Sequence, residues 1–335
     1  MSRWLLCLLL CLSTMSRADW FERRESIMGT AIHAEVWSDS AETAEQVLDS
    51  VMDEMRRIDT TYSPYIETSA LSELNRLAPV GWVSVAAEMI DLLTRSARVS
   101  ELTEGAFDIT YASIGRYYDY REGVRPDSAQ IEEGLAAIDY RYVEIDVEKG
   151  RVRYAHPHVY VDLGGIAKGY AVDSSIDILR AAGIEQASVS AGGDSRIIGD
   201  RGGHPWTVGV RDPRDANRMV VLLPLEDTAV STSGDYERFF DEAGVRYHHI
   251  LDPATGDSAR HSMSVTVLGP DATLTDALST SVFVLGAERG LALIDRLPGI
   301  DAIIIDAQGR LHYSADLSEL VDPSQARSSG DGAPR

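Results

Sequence analysis

The sequence predicts a mixed α/β fold, layered in the α+β manner. Helix-period and strand-period segments are interspersed along the chain without a strict βαβ rhythm. The chain is also long and apolar enough, at 335 residues and 44% hydrophobic, to bury a sizeable core as one large domain or two fused lobes. Gly, Pro and charged residues sit near ordinary globular levels, which argues against wholesale disorder.

The elements follow in order. Residues 27–37 read as an early strand with partial alternation. Residues 41–58 form an amphipathic helix, with Ala44, Val47, Leu48, Val51, Met55 and Ile58 on one stripe. Residues 84–102 form a second helix, with Ser84 as the expected N-cap and Gly105 beyond its end. Residues 140–161 read as paired strands around a turn at Lys149-Gly150. A helix over 168–182 ends at Gly183 as its C′ residue. Short strands follow at 187–190, 206–211, 219–223 and 229–233. Residues 275–285 and 288–297 are helical, and 302–306 with 311–314 form a closing hairpin over Gly309. No internal repeat stands out.

The ends read differently. Arg3, an apolar run from Trp4 to Leu12 too short for a stable membrane span, and Ser16-Arg17-Ala18 make residues 1–18 a signal peptide cut after Ala18. The mature protein is therefore expected in the periplasm. The 2 cysteines, Cys7 and Cys11, fall inside that segment, so neither disulfides nor thiol chemistry is expected of the mature chain. Leu10 before Cys11 disfavours a lipid anchor, though membrane association stays open. One domain is expected over 19–321, and a disordered Ser-, Gly- and Pro-rich tail over 322–335.

Acidic residues outnumber basic ones 53 to 31, for a net charge of -22. Such a surface repels nucleic acid and anionic lipid. An anionic ligand would need local help from a metal, a glycine-rich loop or a placed cation. Lysine occurs only at Lys149 and Lys168.

Four segments could carry chemistry. Asp162-Leu163-Gly164-Gly165-Ile166-Ala167-Lys168-Gly169-Tyr170 runs from an apolar strand through glycines into a helix, where backbone amides can face an anion. It is neither a P-loop, because Tyr170-Ala171 replaces Lys-Ser/Thr, nor a dinucleotide fingerprint. A plain strand-to-helix turn with a solvated Lys168 reads the pattern equally well. Ser190-Ala191-Gly192-Gly193-Asp194-Ser195 lies between short strands and alone reads as a hairpin turn. Asp276 and Thr280, at i and i+4, put a carboxylate and a hydroxyl on one helix face, a pairing that suits Mg²⁺. An exposed Asp beside a Thr bonded to its own helix fits that spacing too. His248-His249 precede a turn at Asp252-Pro253-Ala254-Thr255-Gly256 and offer a zinc ligand or a general base. Neighbours on a strand point to opposite faces, so one histidine at most reaches a given site. With no HExxH and no mature cysteine, zinc is disfavoured.

The ordered set resembles a family. Met28-Gly29-Thr30, Tyr65 with Ser69-x-Leu71-Ser72-x-Leu74-Asn75, Gly105-x-Phe107-Asp108-Ile109-Thr110, the run from Asp162 to Asp173, Ser190 to Asp194, His249-Ile250-x-Asp252-Pro253-x-Thr255-Gly256 and Asp276-Ala277-x-Ser279-Thr280 occur in the order of ApbE-type FAD:protein FMN transferases. The resemblance spans residues 25–315 and implies a T-fold-like architecture. It implies that Met28, Tyr65, Ala106, Phe107, Asp108, Asp162, Lys168 and Ile250 line an FAD site. It implies that the Gly165 carbonyl, Asp276 and Thr280 hold Mg²⁺, although many relatives carry alanine at the position of Gly165. The implied activity attaches FMN to a Thr or Ser of a client flavoprotein and releases AMP. Clients are expected among membrane-associated redox subunits. His249 is the candidate general base, since neutral imidazole suits that role near pH 7. An FAD pyrophosphohydrolase and a non-catalytic periplasmic flavin-binding protein are the competing readings.

Overall fold

The computed structural model describes residues 18–321. The segments read as a signal peptide and as a disordered tail thus lie, apart from Ala18, outside the described residues. The chain opens on β1 (Asp19–Ile27), β2 (Thr30–Ser38), α1 (Ala41–Tyr62), α2 (Ala70–Leu77), β3 (Val83–Ser84) and α3 (Ala87–Leu102). Then come α4 (Ala112–Gly115), α5 (Ser128–Ala136), β4 (Val143–Asp146), β5 (Arg151–Tyr154) and α6 (Ala167–Ala181). Next are β6 (Ala187–Ala191), β7 (Asp194–Ile198), β8 (Trp206–Asp212), β9 (Asp215–Leu225) and β10 (Ala229–Gly234). The chain continues through β11 (Phe239–Glu242), β12 (Val245–His248), β13 (Ser262–Gly269) and α7 (Ala272–Ile294). It closes on β14 (Asp301–Asp306), β15 (Leu311–Tyr313) and α8 (Ala315–Val321).

One 8-stranded sheet organises the molecule, in the order β1-β2-β6-β7-β10-β13-β14-β15. Every neighbouring pair in it is antiparallel. Helices α1, α6 and α7 lie side by side over it: α1 on β1 and β2, α6 on β6 and β7, α7 on β10, β13 and β14. This is the layered α+β arrangement that the interspersed pattern predicts. The core lies between these layers. Val47, Leu48, Val51, Met55 and Ile58 of α1 are buried there, as their spacing requires. Helix α7 is long and apolar enough to cross a membrane, but most of it is buried inside the protein, so its apolarity belongs to the core.

Several boundaries differ from expectation for local reasons. The strand expected over 27–37 is interrupted by a two-residue turn at Met28 and Gly29, with φ of 55° and 68°. Both are left-handed, as in the tight turns that match strand twist. The preceding strand, β1, is a sheet edge whose outward residues are charged, so it lacks an apolar signature. Ser84 is not a helix cap; it pairs with Arg151, and α3 starts after Ala86 with no side-chain cap. The two C-terminal helices are one run broken at Gly286, whose φ is 75° and where a Cβ would press on the His261 side chain at 2.7 Å.

Helices α6 and α7 touch backbone to backbone. A Cβ on Gly169 would overlap the Ala272 carbonyl and sit 2.8 Å from the Asp276 Cβ. The Gly169 N–H instead donates to the Asp276 carboxylate at 2.9 Å. One turn along, Asp173 of α6 accepts from the Ala272 and Thr273 amides at 2.9 and 2.8 Å, and caps the start of α7. Gly169→Ala should therefore cost about 3 kcal/mol through overpacking. Gly183→Ala, in open space but at φ 80°, should cost only about 1 kcal/mol of backbone strain. Urea unfolding of both variants tests the ranking; equal losses would contradict it.

Glu88 of α3 ties the helix layer together. It accepts from Arg57 at 2.6 and 2.8 Å and from the Tyr170 hydroxyl at 2.7 Å. The Arg57 bonds, set against the cost of burial, hold its carboxyl down at about 2. A depressed folded pKa contributes stability that is present above the unfolded value and lost as pH falls. Glu88→Gln should thus lower stability at neutral pH, and its deficit should shrink between about pH 4.5 and 2. A deficit independent of pH in urea melts would assign it to packing alone.

Candidate functional site

The site forms at one end of the large sheet, where two hairpin turns, the start of α6 and the second turn of α7 converge. The strand-to-helix segment places Lys168 in the first turn of α6. Its ammonium forms an ion pair with Asp194, the first residue of β7, and lies 3.4 Å from the Asp276 carboxylate. Both acids are buried, Asp194 to 1% exposure and Asp276 to 2%. Lys168 is therefore no solvated surface lysine. Burial alone would lower its pKa, but Asp194 and Asp276 outweigh that and hold it above the usual lysine range. Burial, and then repulsion from Asp194, push the Asp276 carboxyl well above the ordinary carboxylate range.

Thr280 stands one turn beyond Asp276 on the same face. Its hydroxyl lies 3.3 Å from that of Ser233 on β10, which also pairs with Ser279 at 2.8 Å. Gly165 abuts this point: a Cβ there would lie 3.5 Å from the Thr280 hydroxyl and 3.3 Å from the Phe107 ring. The fold thus brings Gly165, Lys168, Asp276 and Thr280 together, with Phe107 as a buried wall.

The Gly192-Gly193 segment is a hairpin turn, as its pattern suggests, yet it serves the site. A Cβ on Gly192 would meet the Thr30 hydroxyl at 2.6 Å, so the turn lies tight against the Met28-Gly29-Thr30 turn and positions Asp194. Met28 is half-buried against the core. Tyr65 is 80% exposed. Asp162 is buried and accepts from the Gly164 amide at 2.6 Å; burial raises its pKa.

The two histidines separate where strand β12 ends: His248 is its last residue and His249 lies in the bend beyond it. His248 is buried, 2.8 Å from the Ala259 carbonyl and edge-on to Phe283. His249 faces the other way, half-buried, with a buried Nδ1 that has no hydrogen-bond partner. Burial first, then Arg238, His248 and Lys168, lower its pKa to about 3. An acid limb near 6.5 in this free protein is thus not expected from His249.

Two nominated side chains point to structural work. The Asp108 carboxylate accepts from the Thr110 amide and hydroxyl at 2.8 and 2.6 Å and from the Tyr140 amide at 2.7 Å, closing a short helical turn. The Ile250 side chain is buried in the second core. Ala106 does face an opening. A cavity of about 590 Å³, in the range of small-molecule sites, is lined by Gly105, Ala106, Asp252, Val284, Gly286 and Arg289. Gly165, Lys168, Asp194, Asp276, Thr280 and His249 do not line this cavity.

Asp194, Ser233 and Arg238 were not nominated from the sequence. Asp194 closes a glycine motif and carried that much signal; Ser233 and Arg238 reach the site only through strand pairing.

His249 should stay neutral from pH 8 down to about 4 in ring-nitrogen NMR of the free protein, given its lowered pKa. The unfolded chain takes that proton near 6.5, so the fold should lose stability as pH falls below it. A His249 titration between pH 6 and 7 would contradict this burial.

The ApbE family model matches residues 28–304. The FAD:protein FMN transferase of Treponema pallidum is 33% identical over 331 residues, covering 93% of this chain and 91% of that protein. The one from Vibrio cholerae is 34% identical over 260 residues, 75% of each chain. Among solved structures, the ApbE protein of Thermotoga maritima superposes with a TM-score of 0.83 at 37% identity, covering 90% of this chain and 98% of that one. The flavin transferase ApbE of Vibrio cholerae gives 0.80 at 28% identity, covering 90% and 99%.

Proposed function

The chain belongs to the ApbE family, and on that premise we propose that it splits FAD and transfers FMN to a Thr or Ser hydroxyl of a client flavoprotein, releasing AMP. The carrying observation is the pair of buried acids, Asp194 and Asp276, on the half-buried Lys168 beside Thr280 and Gly165. Two buried carboxylates face one half-buried ammonium, so the cluster carries one negative charge in excess whenever both acids are ionised. A divalent cation offsets that excess. Among the described residues no cluster of three His, Cys, Asp or Glu side chains exists for a metal. The available donors are a carboxylate, a hydroxyl and a backbone carbonyl. Such a sparse oxygen set suits Mg²⁺, which keeps water and substrate phosphate among its ligands. The residues present fit the ion, with Gly165, Asp276 and Thr280 as its holders.

When bound, Mg²⁺ supplies positive charge against the dinucleotide and the bridging phosphate. Lys168 adds a fixed ammonium, and Asp194 holds it in place. Ser233 orients the Thr280 hydroxyl. The client hydroxyl oxygen bonds to the FMN-side phosphorus while the bond from that phosphorus to the bridging oxygen breaks. AMP leaves with the electron pair. His249 takes the hydroxyl proton. Its low basicity in the free protein reflects burial near Arg238 and Lys168, and arriving phosphate charge works in the opposite direction.

The mature protein acts in the periplasm on membrane-associated redox proteins. Support comes from the signal-like residues 1–18 and from a first strand that starts at Asp19.

Incubation with FAD, Mg²⁺ and a client domain should add one FMN, less one water, to the client's intact mass. Asp276→Asn should slow transfer roughly 10²-fold or more, as loss of a key charge-stabilising group does. Its fold should persist, because an amide keeps the Gly169 bond and removes repulsion from Asp194. Free FMN and AMP with an unmodified client would assign the hydrolytic reading instead.

A further inference from the structure

Arg238 is the cation of this site that the cluster around Lys168 does not account for. It immediately precedes β11, and its carbonyl accepts from the His249 amide at 3.1 Å, so the hairpin fixes its backbone beside the candidate base. Its guanidinium lies over the Met28-Gly29 turn: a Cβ on Gly29 would sit 3.3 Å from Nη2. Glycine there lets the guanidinium lie against bare backbone. The group is near enough to pull electrostatically on Tyr65, Asp162 and His249. Yet it is exposed and makes no ion pair among the described residues. Several arginines nearby are paired, although Arg116 and Arg211 make no ion pair among the described residues. Arg214 and Arg246 share Asp235, and Arg260 pairs with Asp257. In a protein of net charge -22, a guanidinium left without a carboxylate at the mouth of an anion site is available to a ligand.

We propose that Arg238 is a second phosphate-binding cation of this site, donating from its guanidinium to the phosphate oxygens of FAD and so positioning the nucleotide beside His249. Planar guanidinium suits phosphate because it donates two parallel N–H bonds, and it keeps its charge at every working pH. The division of labour follows from burial. Lys168 is locked between two acids and contributes a fixed charge. Arg238 is unpaired and can close on an incoming anion. The inference rests on FAD being the substrate.

The test is binding without turnover, by flavin fluorescence and calorimetry, on wild type, Arg238→Ala and Arg238→Lys. Arg238→Ala should weaken FAD roughly ten- to hundredfold, the loss of a charged hydrogen bond. Riboflavin, which has no phosphate, should bind both proteins alike. The salt dependence of FAD affinity should become shallower in Arg238→Ala. Arg238→Lys should recover part of the affinity, since it restores charge without the fork. Paired comparisons of FMN with riboflavin and AMP with adenosine identify the phosphate by the discrimination that disappears. Melting curves should be unchanged, since the Arg238 guanidinium makes no ion pair among the described residues and the substitution keeps the backbone bond to His249. Unchanged FAD affinity and salt slope would overturn the proposal, as would an equal loss for riboflavin, which would make Arg238 a flavin-ring contact. A wild-type protein that does not bind FAD would instead refute the substrate reading.

Discussion

The site depends on how closely α6 crosses α7. Only glycine at 169 lets the α6 backbone reach the Ala272 carbonyl, and that approach makes the Gly169 N–H a donor to Asp276. The same approach brings Lys168, one residue earlier, within 3.4 Å of Asp276. Asp173, four residues later, then caps α7 and pairs with Arg196 at 2.6 Å. One stretch of α6 thus fixes the height and rotation of α7. Rotation decides which α7 residues face the site, and Asp276 with Thr280 follows from it.

The sheet supplies the rest. Its order sets β6, β7 and β10 side by side, so Asp194 and Ser233 arrive next to residues far away in sequence. The result is a concentration of buried charge that the fold tolerates because each group has a partner, with one negative charge in excess. The tension is expressed in Asp276, whose carboxyl is pushed upward by burial and by Asp194. A carboxyl perturbed by burial and a specific charged neighbour is the kind of group that clusters at functional sites.

Legibility in the sequence followed the range of the interaction. The α1 stripe and the turn at Lys149-Gly150 are local patterns and appear as read, although the strands about that turn reach only Val143–Asp146 and Arg151–Tyr154 rather than all of 140–161. The i, i+4 spacing of Asp276 and Thr280 is local too, and the two share a face of α7. Ser84 has the sequence of a helix cap, but pairing with Arg151 takes it into a strand, a long-range effect that no local pattern carries. Strand β1 was invisible because an edge strand shows charges to solvent. Of the residues that the resemblance nominated, the Asp108 carboxylate closes a turn and the Ile250 side chain packs in the second core. Asp194 was visible only as the end of a glycine motif, and Arg238 not at all, because strand register rather than spacing brings them in.

The proposed role of the α6–α7 crossing is to build a divalent-cation site for a nucleotide. The most direct measurement is a crystal structure of the protein with Mn²⁺ and a non-hydrolysable FAD analogue, with the metal located by anomalous scattering. The account predicts one anomalous peak within about 2.5 Å of an Asp276 carboxylate oxygen, the Thr280 hydroxyl and the Gly165 carbonyl, with phosphate oxygens completing its shell. A peak elsewhere, or no peak while the analogue is bound and Lys168 still bridges Asp194 and Asp276, would contradict it.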